Sequence, residues 1–431
     1  MNFPPQQEQA LHTAGRWMRD ASAQQVLYMG GYAGTGKTTL ARHLVGGARK
    51  RWLFAAMTGK ATHVMRQKGC HGASTIHSLI YRPNGESKAT EIKGLEIKLR
   101  NLRQLMDEKL EDDARGEVFL ENQREELRSQ ILLVKQKLDK LHSEREPMFA
   151  VWENSPLADF DVEGIVIDEC SMVDDQLGTD LESFGKKILV LGDPFQLPPV
   201  GAGGRYTKRK PDITLTEVHR QAKESPILEL ATLIREGGNA AHYHCRGGED
   251  CQVLFRDDLD QQEIARYVIS ADQVIVGRNA TRKAFNHRHR ELLGHKTVTP
   301  QLGDRLVCLR NNRALGIYNG SQWTVISATS DIAGRTCDLE IRSEDDGREV
   351  IASSWLHHMI GEEEELTQMG WDRRDLEEFD YGYSLTGHKA QGSQWTNVTV
   401  FDESRAFGRD VGRRWLYTSV TRASKKLTVI L

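Results

Sequence analysis

The chain has 431 residues, 39% of them hydrophobic and 28% charged, and a net charge of −3. That length allows roughly two to four domains, with enough apolar material for cores in each. No apolar run approaches the about 18 residues a bilayer crossing needs, and the N-terminus lacks a signal-peptide pattern, so the expectation is a cytoplasmic protein without a membrane partner. The small net charge neither supports nor excludes nucleic acid, because affinity follows local phosphate contacts. The six cysteines are scattered and form no C-x-x-C pair, which fits reduced thiols. His242, His244, Cys245 and Cys251 match no common zinc module, and the Gly-Gly-Glu-Asp between the cysteines reads as an exposed loop.

Residues 1–80 alternate apolar strands with helical stretches, as a parallel α/β sheet requires. Val26–Met29 reads as a buried strand and Thr39–Val45 as helix. Between them, Gly31-Tyr32-Ala33-Gly34-Thr35-Gly36-Lys37-Thr38 is a complete G-x-x-x-x-G-K-[ST] loop. Its glycines permit angles and approaches that a Cβ would block, so N–H groups and a helix N-terminus converge on phosphate oxygens. Lys37 would reach the β- and γ-phosphates, and the Thr38 hydroxyl would take one Mg²⁺ position. Residues 31–38, with Thr39, are the candidates for binding a nucleoside triphosphate.

From about Ser87 to Arg145 the chain is charged, helix-favouring and free of proline. Ile92, Leu95, Leu99, Leu102 and Met106 alternate spacings of three and four, and Leu127, Ile131, Val134, Leu138 and Leu141 repeat the pattern. Joined by the polar stretch Glu111–Glu117, these read as an antiparallel helical hairpin, each arm of about 18 residues extending roughly 27 Å. The spacing also suits two helices packed on the body, or a dimerising coiled coil; two short arms in one chain pair more readily with each other.

Ile165-Val166-Ile167-Asp168-Glu169 is an apolar strand ending in two carboxylates. Asp168 stands where a Mg²⁺-holding acid belongs, and Glu169 can orient and deprotonate an attacking water. Ile188–Leu191 continues the α/β pattern, as do residues 206–295. Between 296 and 360 the texture changes to short strands (Asp304–Leu309, Gln322–Ile326, Asp338–Ile341, Val350–Ser353) with an Asn319-Gly320 turn, which suggests a small β-barrel. Glu362–Glu365 reads as solvated surface. The last 50 residues return to α/β and end on a buried-looking strand, Leu427–Leu431.

Leu189–Val200, with Gly192-Asp193-Pro194-Phe195-Gln196-Leu197-Pro198-Pro199 at its centre, resembles motif III of superfamily 1 helicases. Its Gln-Leu-Pro-Pro form resembles the RecD-like branch, superfamily 1B, close to the phage Dda-type helicases. In that family the glutamine, here Gln196, senses the γ-phosphate and links hydrolysis to DNA movement. Gln7 in Pro5–Ala10 resembles the adenine-contacting glutamine, with Gln6 the other choice of register. Ala55–Ala61 resembles motif Ia, with Met57 in place of the usual proline, and Ser74–Leu79 resembles the Thr-Ile-His element that touches single-stranded DNA. Leu215–Gln221 resembles motif IV, Ser384–Ser393 motif V and Trp415–Ala423 motif VI. The resemblance makes Arg220 and Arg422 the arginines of a second lobe that meet the nucleotide when the cleft closes; each guanidinium can reach two phosphoryl oxygens at once.

The resemblance implies an α/β fold: two RecA-like P-loop NTPase domains, a helical-hairpin (coiled-coil) insertion in the first and an SH3-like β-barrel insertion in the second. Residues 1–80 and 157–205 would form domain 1A, and 81–156 the pin insertion 1B with its arm at about 90–144. Residues 206–295 and 382–431 would form domain 2A, and 296–381 insertion 2B. The expected catalytic set is Lys37, Asp168, Glu169, Gln196, Arg220 and Arg422, with ATP and Mg²⁺ as ligands, Thr38 and Asp168 on the metal, and Gly392 beside the nucleotide. Thr58, Lys60, Thr75, His77, Thr386, His388, Lys389 and Ser393 are the candidates for contacting a single strand. Ser78–Arg82 and Met148–Trp152 could be the two strands of a separating pin, with Phe149 or Trp152 stacked on the base at the fork. The implied function is an ATP-dependent helicase, translocating 5′→3′ on single-stranded DNA and unwinding forked duplex in replication, recombination or repair. It would act as a monomer, with the arm free to meet a protein partner. The alternative is a DNA-stimulated ATPase that remodels protein–DNA complexes without separating strands.

Overall fold

The computed structural model describes the chain apart from residues 1–2, 49, 84–94, 96–97, 100–101, 103–104, 107–125, 136, 138–148, 153–154, 199–203, 218–224, 245–247, 313–314 and 369–375. It divides into a larger unit, Met1–Ile76 with Asp159–Leu431, and a smaller one, His77–Ala158. Strands β1 (Val26–Gly31), β2 (Arg51–Ala56) and β3 (Ser74–Thr75) precede the smaller unit's β4 (Tyr81–Pro83) and β5 (Phe149–Val151). β6 (Val162–Asp168), β7 (Lys187–Gly192) and β8 (Ile213–Leu215) follow them. In the larger unit the first sheet has the order β3-β2-β6-β7-β1-β8, with every pairing parallel. β1, β6 and β7 are near-continuous apolar runs because helices cover both faces of such a sheet. The helix Pro5–Arg19 starts with proline in its first turn, where no intrahelical N–H is lost, and turns Ala10, Ala14, Trp17 and Met18 into the core.

A second parallel sheet has the order β16-β10-β17-β18-β9, built from β9 (Cys251–Leu254), β10 (Gln273–Val276), β16 (Ser384–Thr386), β17 (Trp395–Phe401) and β18 (Ala423–Ile430). Between β10 and β16 the chain builds a closed barrel of β11 (Arg305–Cys308), β12 (Gln322–Asp331), β13 (Thr336–Ser343), β14 (Glu349–Trp355) and β15 (Glu377–Tyr381). Alternation on β13 sends Cys337, Leu339 and Ile341 inward around the buried Trp323. Four of the barrel strands match the expected apolar segments. The fifth, β15, carries Glu377, Glu378 and Asp380, and sequence reading passed over it. Their carboxylates are buried and partnered: Asp380 by Arg282 at 2.7 Å, Glu377 by Asn312 at 2.6 Å, Glu378 by Arg310 at 3.4 Å.

Buried polar groups join these bodies. Arg290 grips Asp304 with two bonds of 2.9 Å, and the Tyr383 hydroxyl donates to the same carboxylate at 2.8 Å. Gln322 of the barrel donates to the Gln273 side chain (2.6 Å) and the Gly382 carbonyl (3.1 Å), and accepts from the Trp395 indole (2.9 Å). The helix Gly59–Gln67 of the first sheet abuts the same corner so closely that a Cβ on Gly59 would lie 2.2 Å from the Tyr318 side chain.

In the smaller unit, β4 pairs antiparallel with β5, matching Tyr81 to Val151 and Pro83 to Phe149. Ser78–Ile80, expected to be extended, belong instead to the short helix Ile76–Ile80; Ile76, Leu79 and Ile80 are buried at the three-and-four spacing of a helix face. Much of the expected arm lies outside the described residues. Of the part described, Leu95, Leu99, Leu102, Met106 and residues 126–135 are helical. Val134 is buried, whereas Leu105, Leu132 and Leu133, off the apolar stripe, are exposed. Among the described residues no helix is long and apolar enough to cross a membrane.

Candidate nucleotide cleft

An open parallel sheet places its ligands at the carboxyl ends of its strands, where chain direction and helix N-termini leave a crevice. The expected residues of the first sheet gather there. β1 runs into the glycine loop, in which Gly34 and Gly36 both have φ of 78°, left-handed values that L side chains resist. The helix Lys37–Gly46 then opens with its N–H groups facing the loop. Lys37 Nζ donates to the loop's own carbonyls, Gly31 at 2.7 Å and Tyr32 at 3.1 Å. The Thr38 hydroxyl donates to Asp168 Oδ2 at 2.7 Å, which brings the two oxygens expected on Mg²⁺ to one point.

Beyond Asp168, Glu169 turns into the left-handed region at φ 55° and ψ 44°. Non-glycine residues enter that region at a cost, and at functional sites they do so to aim a side chain. Here it delivers the Glu169 carboxylate to Gln196. The Gln196 amide, its orientation set by its neighbours, donates to Glu169 Oε2 at 2.9 Å and accepts from Arg422 Nη2 at 3.2 Å. Arg422 is itself buried and fixed by bonds to the carbonyls of Thr418 (3.0 Å) and Ser393 (3.2 Å). A carboxylate from the first sheet and a guanidinium from the second thus meet through one amide. Burial raises the Glu169 carboxyl above its ordinary value, and the Arg422 charge opposes that rise.

These groups line a cleft of about 380 Å³ together with Ala33, Gly34, Gly36, Lys37, Thr38, Thr39, Asp168, Gly392 and Ser393. Gly31, Tyr32 and Thr35 frame the loop: Tyr32 lies 3.6 Å beneath the Arg235 guanidinium, and the Thr35 carbonyl accepts from Gln7 at 2.9 Å. Gln7 is buried against the loop, whereas Gln6 bonds Thr216 and Glu217. Arg220 lies outside the described residues.

The residues expected on DNA divide. Thr58 caps the helix Gly59–Gln67, accepting from Ala61 N–H at 3.1 Å. Thr75 ends β3, and Thr386 ends β16, where it is buried and accepts from Lys389 N–H at 3.4 Å. Lys389 is exposed; His388 is half-buried, and burial lowers its pKa, which leaves it neutral at pH 7. Ser393 is buried in the cleft. In the smaller unit His77 is exposed, its ring 5.6 Å from that of Tyr81, and Phe149 opens β5. Lys60 departs from expectation. It is buried, with its ammonium 3.7 Å from Asp345 and 3.5 Å from Gln322 of the barrel and 5.0 Å from the Trp395 ring. Burial lowers its pKa, with Asp345 opposing.

Sequence reading also missed the groups that clamp residues 193–197: Arg414, Tyr417 and Thr418 on the helix Arg409–Val420, and Gln391. Three of these four stand within eight residues of Arg422, a proximity that is the one signal the sequence offers.

The family described as AAA domain matches residues 5–248, and the family described as UvrD-like helicase C-terminal domain matches residues 381–430. The ATP-dependent RecD2 DNA helicase of Deinococcus radiodurans is 27% identical over 273 residues, covering 60% of this chain and 35% of the relative. The probable conjugal transfer protein TraA of Sinorhizobium fredii is 25% identical over 296 residues, covering 61% and 24%. The chain thus spans about a third or less of the length of these relatives. Among solved structures, Bacteroides Pif1 bound to ssDNA superposes with a TM-score of 0.52 at 16% identity, covering 100% of this chain and 92% of that one, a likeness of fold.

The raised Glu169 pKa has a consequence for stability. The folded chain holds that proton more tightly than the unfolded one, so stability declines as pH rises above the ordinary value of 4.5. Glu169→Gln removes that proton linkage, and its Tm at neutral pH should exceed the wild type's, the gap closing as the pH falls toward the ordinary carboxyl range. Thermal unfolding of both chains across pH checks this; equal Tm at neutral pH contradicts it.

Proposed function

The chain belongs to the AAA domain family, as a RecD/Pif1-like member of superfamily 1B, and from that premise we propose that it is an ATP-dependent DNA helicase moving 5′→3′ along a single strand. The observation that carries the reading is the Glu169–Gln196–Arg422 chain across the cleft. A P-loop with two acids would serve any NTPase. An amide linking the general base to an arginine of the second sheet serves one whose chemistry depends on the approach of its lobes.

ATP would lie with its phosphates on the 34–38 amides. Lys37 would exchange the Gly31 and Tyr32 carbonyls for β- and γ-oxygens, charge-assisted bonds stronger than those it makes to carbonyls. Thr38 and Asp168 offer paired hard oxygens that suit Mg²⁺, which when bound would neutralise charge on the phosphates. Glu169, its basicity raised by burial, would take the proton of the attacking water. Gln196 and Arg422 would face the γ-phosphoryl, with Arg220 completing the charge. Once the γ-phosphate is released their tie to Glu169 would be the bridge left at the reacting centre, and a change in that bridge would become movement along the strand.

Thr58 at the helix cap after β2, and Thr75 and Thr386 at the ends of β3 and β16, would form the DNA track with His388 and the exposed Lys389. His388, neutral at pH 7, would act there by hydrogen bonding. The hairpin of β4 and β5 would serve as the pin, with Phe149 at its edge, and the arm would meet a protein partner. Lys60, buried among Asp345, Gln322 and Trp395, is better suited to fixing the barrel against the first sheet than to holding phosphate.

Two experiments test this reading. A forked duplex with a 5′ tail should be unwound in the presence of ATP, while the Lys37→Ala chain unwinds neither fork and keeps its single-strand affinity. Unwinding of the 3′-tailed fork alone contradicts the polarity, and DNA-stimulated hydrolysis without unwinding of either fork favours a remodelling ATPase. Lys60→Met should leave the slope of log affinity against log salt unchanged, measured on single-stranded DNA; a loss of about 0.7 in the slope would restore Lys60 as a phosphate contact.

A further inference from the structure

The turn that presents Gln196 is built by its neighbours. Asp193 Oδ1 accepts from Phe195 N–H at 2.9 Å, and the Asp193 carbonyl accepts from Gln196 N–H at 3.2 Å. This compact Asx turn fixes where the Gln196 side chain begins. Asp193 is buried, so its second oxygen needs a donor, and that donor comes from the other sheet: the Tyr417 hydroxyl, at 2.5 Å. The Ala33 N–H of the phosphate loop lies beside the same hydroxyl. The Tyr417 ring stands edge-on to Phe195, centroids 5.2 Å apart. One phenol of the second lobe thus holds the motif that carries Gln196, beside the phosphate loop.

We propose that Tyr417 is a positioning residue for ATP hydrolysis, its hydroxyl holding the Asp193 carboxylate so that Gln196 reaches Glu169 and Arg422 only while the second lobe is in place. The inference rests on the hydrolysis proposed above. Tyr417 touches no reacting atom. It acts through Asp193, whose carboxylate without the phenol would be left buried and half-partnered, free to relax the turn. The neighbouring bonds do not replace it. Arg414 holds the Pro194 carbonyl at 2.8 Å, and Thr418 and Gln391 hold the Leu197 N–H and carbonyl at 3.1 and 2.8 Å, but these fix backbone on either side of the Asp193 carboxylate. The Arg235 guanidinium over the Tyr32 ring is a second contact of the second lobe with the loop, and it leaves Gln196 unaddressed.

The test is a double-mutant cycle on DNA-stimulated ATP hydrolysis with Tyr417→Phe, Asp193→Asn and both together. Tyr417→Phe keeps the ring and its contact with Phe195. It should lower kcat about tenfold while KM for ATP changes less than about twofold, and single-strand affinity without nucleotide should stay unchanged. Asp193→Asn should lower kcat similarly, and the double variant should be little worse than either single one, because one bond is removed twice. A kcat for Tyr417→Phe within about twofold of wild type, or single effects that multiply in the double variant, overturns the assignment. A Tyr417→Phe chain that does not fold would make the residue a structural support and overturn it too, unless a folded Asp193→Asn shows the fall in kcat at unchanged KM. A wild-type chain that hydrolyses no ATP with DNA present would instead remove the function on which the inference stands.

Discussion

The Gln196 amide, held between the Glu169 carboxylate and the Arg422 guanidinium, is the contact on which the account depends. An amide can donate to an anion and accept from a cation at once, through two different atoms. Away from bulk water both bonds gain strength, because the local dielectric is low, and either charge left unpaired there would be costly. The opposing influences on Glu169 follow from the same geometry. Burial makes it a stronger base while the Arg422 charge opposes that rise, a balance that suits the general-base role proposed for it. Its left-handed backbone is the strain that places it there.

That contact needs two sheets held in register, and buried polar groups help to supply this. Gln322, Gln273 and Trp395 share a corner with Lys60, and Arg290 with Asp304 and Tyr383 pins the barrel to the second sheet. Such networks specify one arrangement of neighbours, because partial rearrangement leaves donors unpaired. The barrel is therefore fixed to the second sheet and, through Lys60, to the first.

What the sequence made legible was local. The phosphate loop, the strand ending in Asp168 and Glu169, and the segment around Gln196 each carry their chemistry in consecutive residues, and the structure brings Lys37, Thr38, Asp168, Glu169, Gln196 and Arg422 to one cleft. What escaped depends on distant partners. β15 was hidden because Glu377, Glu378 and Asp380 read as surface until Arg310 and Arg282 are seen to pair Glu378 and Asp380, and the Asn312 amide to hydrogen-bond Glu377. Lys60 resembled a phosphate ligand because its motif neighbours do, and only the folded barrel shows why its ammonium turns inward. Tyr417 was passed over because a tyrosine on a helix reads as core, and its hydroxyl gains meaning only beside Asp193.

The most direct measurement of the central claim is single-strand DNA affinity with and without a non-hydrolysable ATP analogue, in the wild type and in Gln196→Ala. If the amide transmits the state of the γ-phosphate between the lobes, the wild-type affinity changes with the analogue, while Gln196→Ala keeps the nucleotide-free affinity and loses that dependence. A Gln196→Ala chain whose affinity still responds to the analogue as the wild type's does would contradict the account.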